Sequence, residues 1–355
     1  MSGTRAAPTA GLDDALRRDF LSRLVALAIG AAGTGLHPAR VLAQSLPNTA
    51  AHAVDARTQL VLLGTHGGPG VDPAQAQTAS AVLVAGRPYL IDCGYGALRQ
   101  MVAAHVPYLA LGTCLLTHLH DDHTADLAAL LSLQWTNGKS TATDVYGPYG
   151  TAALIEAALA YLRTNAQIRT IDEGRNIDPA RLFHGHDVAA TDAPVRMFAD
   201  DRVTVQAVQN THYPAHSIAR MPYRSLALRL DSAQRSIVFA GDTAYSANVV
   251  RLARGADLFV CEIADAGVLA QMCERARAAA AAGHPDNIFR HVAETHSSPG
   301  DVARMASEAG VKSVVLNHQL PGPATPLAYP VTAFIDAVRQ GYAGEVIVGQ
   351  DLMVL

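Results

Sequence analysis

The run Thr117-His118-Leu119-His120-Asp121-Asp122-His123, just after the apolar stretch Leu111 to Leu116, constrains this chain more than any other feature. Its imidazoles and carboxylates suit Zn²⁺ and its first-row neighbours, and donors so closely spaced converge only where the chain turns sharply at a strand end. A metal-binding loop is therefore expected, with a donor set rich enough for two ions. The alternatives are a surface histidine cluster without a role and a single structural zinc. No Cys-x-x-Cys accompanies the run, and structural zinc sites usually recruit thiolates, which weakens the second alternative.

The chain has 355 residues and half of them are hydrophobic, ample for one large domain or two small ones. Its net charge is -4, and 27 Lys plus Arg against 31 Asp plus Glu leave no basic excess for gripping a phosphate backbone. No nucleic-acid partner is expected on that ground. The cysteines Cys93, Cys114, Cys261 and Cys273 follow no disulfide spacing and read as mostly buried free thiols.

Residues 1–43 differ in character from the rest. Arg17-Arg18-Asp19-Phe20-Leu21 precedes the apolar run Leu24 to Ala32, and Val41-Leu42-Ala43 offers small residues of the kind a signal peptidase cuts after. The segment resembles a twin-arginine export signal, which implies a periplasmic protein whose folded domain is 44–355. An ordinary N-terminal amphipathic helix on a cytoplasmic protein is the competing reading. The apolar run falls short of the roughly 20 residues a membrane span needs, so no stable membrane anchoring is expected.

Along the rest of the chain, short apolar runs alternate with turns. Leu60 to Leu63 is strand-like and stops at Gly64-Thr65-His66-Gly67-Gly68-Pro69-Gly70, while Ala79 to Val84 and Tyr89 to Ile91 form a hairpin around Gly86-Arg87-Pro88. Leu98 to Ala104 and Thr124 to Leu133 have helical spacing. The second half repeats this pattern with Val203 to Val208, a hairpin of Leu226 to Leu230 with Ile237 to Ala240, Leu258 to Val260, and Val311 to Leu316. Four of the runs lead to His or Asp, as expected of a sheet that presents ligands along one edge. Asn165 to Asp201 is the least patterned stretch and is expected to flank the site and set specificity. Lone Trp135 reads as packing.

The run His118-x-His120-x-Asp122-His123, followed by an isolated His, then Gly241-Asp242-Thr243 and a late His, resembles the metallo-β-lactamase fold superfamily of binuclear hydrolases. Within it, Val260-Cys261-Glu262 and Thr295-His296-Ser297-Ser298 ahead of Leu316-Asn317-His318 are similar to the ribonuclease Z and arylsulfatase branch. The resemblance implies an α/β, four-layer αββα sandwich of two pseudo-symmetric halves. It implies two divalent ions, Zn²⁺ foremost with Mn²⁺ or Fe²⁺ also acceptable. One ion would be held by His118, His120 and His212, the other by Asp122, His123 and His318, with Asp242 bridging them. His216, His184 and His186 compete with His212. Two cations lower the pKa of a shared water, so solvent is the expected nucleophile.

Catalytic roles are expected for His296, as acid or oxyanion donor, for Asp122, and for Glu262 as the carboxylate that orients His296 or a ligand. Asp92 is a candidate for the same orienting task, and Glu262 and Asp92 also fit as ordinary strand-end carboxylates. His66 either touches substrate or sits exposed in its loop. The function these readings imply is hydrolysis of a small-molecule sulfate ester or phosphodiester by attack of a metal-bridging hydroxide. Lactone or carboxylic-ester hydrolysis is the alternative enzyme, and a catalytically silent metal-binding protein the alternative class. A homodimer is compatible with the sequence.

Overall fold

A computed structural model describes residues 57–282, 287–320 and 331–355; the export signal expected over residues 1–43 lies outside the described residues. Strands β1 (Thr58–Gly64), β2 (Ala79–Val84), β3 (Arg87–Ile91), β4 (Thr113–Leu115), β5 (Thr143–Gly147) and β6 (Phe183–Asp187) form one sheet in sequential order. Strands β7 (Val195–Ala199), β8 (Val203–Gln209), β9 (Leu226–Ser232), β10 (Ser236–Phe239), β11 (Leu258–Ala264), β12 (Ser313–Leu320) and β13 (Glu345–Val348) form the second, again in order.

The internal symmetry is explicit in the pairing. From β1 to β6 the neighbours are antiparallel, antiparallel, parallel, parallel and parallel. The series from β8 to β13 is the same, with β7 added at its edge. Each half is thus a hairpin followed by parallel strands that need crossover helices.

Those helices form the outer layers. The first half contributes α1 (Ala97–Ala103), the single turn α2 (Asp121–Thr124), α3 (Leu127–Thr136) and α4 (Thr151–Glu173). The second contributes the short α5 (Ala215–Ile218), then α6 (Ala247–Ala253), α7 (Ala266–Ala281), α8 (Asn287–Thr295), α9 (Pro299–Ala309) and α10 (Val331–Arg339). Period-two alternation explains why both sheet faces are covered. Along β1, Leu60 and Leu62 enter the core between the sheets, whereas Val61 and Leu63 pack toward the helices of the first half. Along β12, Val315 faces the opposite sheet while Val314 and Leu316 meet α6, α9 and α10. The result is the four-layer αββα sandwich expected.

Several local expectations hold. Trp135 is buried and its indole N–H donates to the Ile177 carbonyl at 2.8 Å, a packing role. Cys93, Cys114 and Cys261 are buried free thiols; the Cys273 side chain lies outside the described residues. The stretch 165–201 differs from expectation. Its start completes the 23-residue α4, which ends where Gly174 takes φ 69°, and its remainder supplies β6 and β7 at the sheet edges. It does not line the cleft described below. Exposed apolar residues on α4, Tyr161, Ile168 and Ile171 among them, blur its helical repeat.

Candidate metal centre

β4 is three residues long, and beyond it the chain runs as a loop through His118 and His120 before turning into α2, which carries Asp122 and His123. Asp92, at the end of β3, fixes this loop. Its backbone sits at φ 56°, a conformation few non-glycine residues adopt without compensation. The compensation is three hydrogen bonds: Thr117 N and Thr117 Oγ1 each donate to it at 2.8 Å, and His123 Nδ1 lies 2.9 Å from Oδ2. That carboxylate keeps the proton of His123 on Nδ1 and leaves Nε2 free to face inward. Asp92 is therefore an orienting group rather than a plain strand-end carboxylate. Asp92→Asn should weaken Zn²⁺ affinity about 10- to 100-fold, measured by chelator competition, with the folded content unchanged by circular dichroism.

The second half delivers its donors at equivalent strand ends. His212 follows β8, where Asn210 donates to the Ala240 carbonyl at 2.8 Å and accepts from His212 N at 3.2 Å. Asp242 follows β10 after Gly241, which takes φ 60°; a Cβ there would lie 2.7 Å from the Leu226 carbonyl oxygen. His318 corrects the expectation that it ends a strand. It lies inside β12, skipped in the pairing with β11 between Glu262↔Asn317 and Ile263↔Gln319, with φ 41°. This is a bulge, the device by which a strand re-aims a single side chain.

These elements bring all the expected ligands together in two sets. His120 Nδ1 lies 3.1 Å from His118 Nε2 and 3.2 Å from His212 Nε2. His318 Nε2 lies 3.2 Å from Asp122 Oδ2 and 3.1 Å from Asp242 Oδ2, while His123 Nε2 is 3.2 Å from Asp242 Oδ1. Asp242 faces both sets, its Oδ2 also standing 3.8 Å from His118 Nε2 and 3.9 Å from His212 Nε2.

The donor chemistry fits two divalent cations. Three ring nitrogens converge on one point in the first set, yet a single proton can satisfy only one of those contacts; a shared cation satisfies all three. In the second set the buried His123 Nε2 and Asp242 Oδ1 stand 3.2 Å apart without hydrogen-bond alignment and have no other partner, an unusual cost in a protein interior. Electrostatics point the same way. Burial drives His118 and His212 well below the ordinary histidine range. Burial also opposes protonation of His123 and His318, but Asp242 and Asp122 outweigh it and raise both, His318 to about 10. Asp242 is held well below the carboxylate range: burial works against its charge, and His318 and His123 prevail. Such a carboxylate-rich interior demands positive charge, from protons or from metal.

His296 lies beside these sets in the turn before α9. Ser298 and Asp301 fix that helix start through a capping box, Ser298 Oγ accepting from Asp301 N at 3.2 Å and Asp301 Oδ2 accepting from Ser298 N at 3.0 Å. His296 Nδ1 meets Glu262 Oε2 at 2.5 Å, and Glu262 Oε1 also accepts from Thr243 N. The His296 ring stacks on His318 at 5.5 Å. Burial alone would lower His296, but the Glu262 carboxylate raises it, which favours the charged form. Glu262 thus orients His296 and is no idle strand carboxylate.

The competing histidines are elsewhere. His216 is exposed on α5, and His184 and His186 stand on β6 against Asp144, at 3.3 and 2.8 Å. His66 is buried, contrary to the exposed alternative, and its backbone bridges Gln77 and Gln319. Two site residues escaped the sequence reading, the first being His291 on α8, its ring 4.7 Å from His212 and 5.8 Å from His120. Its signal was present, since it precedes His296 by five residues on the same segment. Tyr213, buried and pressed against His120 at 5.5 Å, was missed as well.

The two donor sets open into a cleft of about 380 Å³ bounded by Gly68, Pro69, Tyr213, Pro214, Met221, His291 and Val292, with His120, Asp122, Asp242 and His296 at its base. Its near wall is the glycine loop. Gly68 N donates to Asp122 Oδ2 at 2.8 Å, and a Cβ on Gly68 would fall 2.2 Å from the Asp122 carboxyl carbon. Only glycine allows this approach. Gly68→Ala should therefore displace Asp122, lowering turnover at least tenfold and reducing bound metal in the second set, read by metal analysis and kinetics.

Residues 87–319 match the model of the Beta-lactamase superfamily domain. The chain belongs to the beta-lactamase superfamily. Within that superfamily it is 32% identical over 301 residues to the ribonuclease Z of Mycobacterium avium (strain 104), covering 83% of this chain and 96% of that one. Among solved structures it is similar to the metallo-beta-lactamase fold protein YhfI from Bacillus subtilis, with TM-score 0.59, 18% identity, 84% of this chain and 98% of that chain covered. It is also similar to human tRNase Z, short form, with TM-score 0.56, 21% identity, and the same coverage of 84% and 98%. This superfamily member is a metal-dependent hydrolase, and proteins of its fold bind divalent metals, typically two zinc ions.

The kinship overturns one expectation. Relatives named ribonuclease Z contradict the exclusion of a nucleic-acid partner. Net charge misled because it averages over the whole chain and omits the charge that a metal centre would add.

Proposed function

We propose that this chain hydrolyses phosphodiester bonds, with one divalent ion held by His118, His120 and His212, a second by Asp122, His123 and His318, and Asp242 shared between them. The observation that carries the proposal is the convergence of seven buried or half-buried donors on two adjacent points with one carboxylate facing both. When bound, such an ion pair ionises water at neutral pH and neutralises charge on the phosphoryl oxygens; Zn²⁺ suits the donors best.

The chain's own residues do the rest. Asp122 lines the cleft floor and is the carboxylate placed to take the proton of the attacking water. His296 Nδ1 donates to Glu262, whose carboxylate favours the imidazolium, and in that charged form Nε2 carries the proton delivered to the departing oxygen. Pro69, Tyr213, Pro214, Met221 and Val292 exclude water around the scissile bond and leave room for one aromatic or nucleoside unit. The relatives' name, ribonuclease, favours phosphorus over sulfur or carbonyl carbon as the centre attacked, and RNA within the substrate range.

The test is a panel on the Zn²⁺-loaded chain: bis(4-nitrophenyl) phosphate, a short RNA, 4-nitrophenyl sulfate and a lactone. Turnover of the phosphodiesters at least tenfold above the other esters supports the proposal. Faster cleavage of the sulfate or the lactone overturns it.

A further inference from the structure

We propose that His291 accepts a hydrogen bond from a substrate hydroxyl next to the departing oxygen, so that the enzyme favours ribonucleotide linkages over 2′-deoxy ones. The inference rests on the phosphodiesterase reading above.

Position comes first. His291 lies on α8 in the cleft wall, half-buried, with ring centroids 4.7 Å from His212 and 6.0 Å from His296. One nitrogen from each of His212, His291 and His296 lies within 4.8 Å of the others. Two imidazoles so close can each reach one of two oxygens on adjacent carbons. His296 serves the departing oxygen, which leaves His291 the neighbouring one.

The hydrogen-bond network then assigns the polarity. The Thr295 hydroxyl donates its hydrogen to the His291 carbonyl at 2.7 Å, so toward His291 Nδ1, 3.4 Å away, it can only accept. Nδ1 therefore carries the ring proton of the neutral imidazole, and Nε2 is a lone-pair acceptor. Nε2 is then the one acceptor the ring can offer the cleft that His291 lines, and an acceptor there is repelled by phosphoryl oxygens and matched by a hydroxyl. In a ribonucleotide whose 3′ oxygen departs, the adjacent group is the 2′-hydroxyl, the feature that separates RNA from DNA at a single site.

His291→Ala and His291→Gln test this against the native chain. The substrates are a diribonucleotide and its analogue lacking the 2′-hydroxyl on the departing side, with adenosine and 2′-deoxyadenosine as calorimetric binding probes. The native enzyme should favour the ribonucleotide about tenfold in kcat/KM, the size of one hydrogen bond. His291→Ala should bring that ratio close to one with metal content unchanged, and His291→Gln, whose amide oxygen still accepts, should restore part of it. Equal losses on both substrates, a preference that survives His291→Ala, or loss of metal would overturn the proposal. A native chain inactive on every phosphodiester would refute the parent reading, whereas the two nucleosides' binding ratio would still decide the role of His291.

Discussion

Asp242→Ala is expected to reduce bound Zn²⁺ from two per chain to fewer than one and to lower kcat/KM on bis(4-nitrophenyl) phosphate by about 10³-fold or more. Two bound cations contribute several kcal/mol to stabilising transition-state charge, and each 1.36 kcal/mol is tenfold in rate. Among the described residues Asp242 is the one carboxylate that faces both donor sets, so its loss affects both ions and loosens the second first. The variant also changes the metal-free protein. There His318, raised to about 10 by Asp242 and Asp122 against the pull of burial, contributes stability that is complete below pH 6.5 and is lost as pH rises through 10. Without Asp242 that slope should flatten, measurable by urea denaturation of chelator-treated protein across pH 6 to 10. An unchanged metal count would remove Asp242 from the ligand set.

His296→Ala should lower kcat about 10²- to 10⁴-fold on substrates with poor leaving groups while two Zn²⁺ remain bound. The bond between His296 Nδ1 and Glu262 sets the expectation, because it raises the imidazole and commits Nδ1, leaving Nε2 to serve as the acid. An acid must be protonated, so native activity should fall as pH climbs through the raised His296 value, and the variant should lack that alkaline limb. Glu262→Gln should move the limb to lower pH. Substrates with good leaving groups, such as 4-nitrophenolate, need less help and should suffer less. Loss of metal in His296→Ala would mean that a ligand has been mistaken for an acid.

Much of this centre was legible in the sequence because the fold delivers ligands where strands stop, and strand ends are marked by apolar runs that break at His or Asp. His118, His120, Asp122 and His123 needed only that logic. Asp242 was legible through Gly241, whose positive φ no other residue adopts as readily. His318 was found for an incomplete reason: it sits on a bulge within β12, and a bulge leaves no mark in an apolar pattern. The cleft walls other than the glycine loop were misplaced. They come from the segment after His212 and from α8, whose positions depend on how the two halves pack, whereas the unpatterned stretch 165–201 is helix and edge strand. The orienting carboxylates Asp92 and Glu262 were undecided because a strand-end acid looks the same whether or not an imidazole lies across from it.

The most direct test of a two-ion centre is the metal content of the purified chain, titrated against turnover of bis(4-nitrophenyl) phosphate. Two Zn²⁺ per chain are expected, with activity that rises fully only as the second site fills. Saturation of activity at one equivalent, or turnover that persists after complete removal of metal, would contradict a two-ion centre.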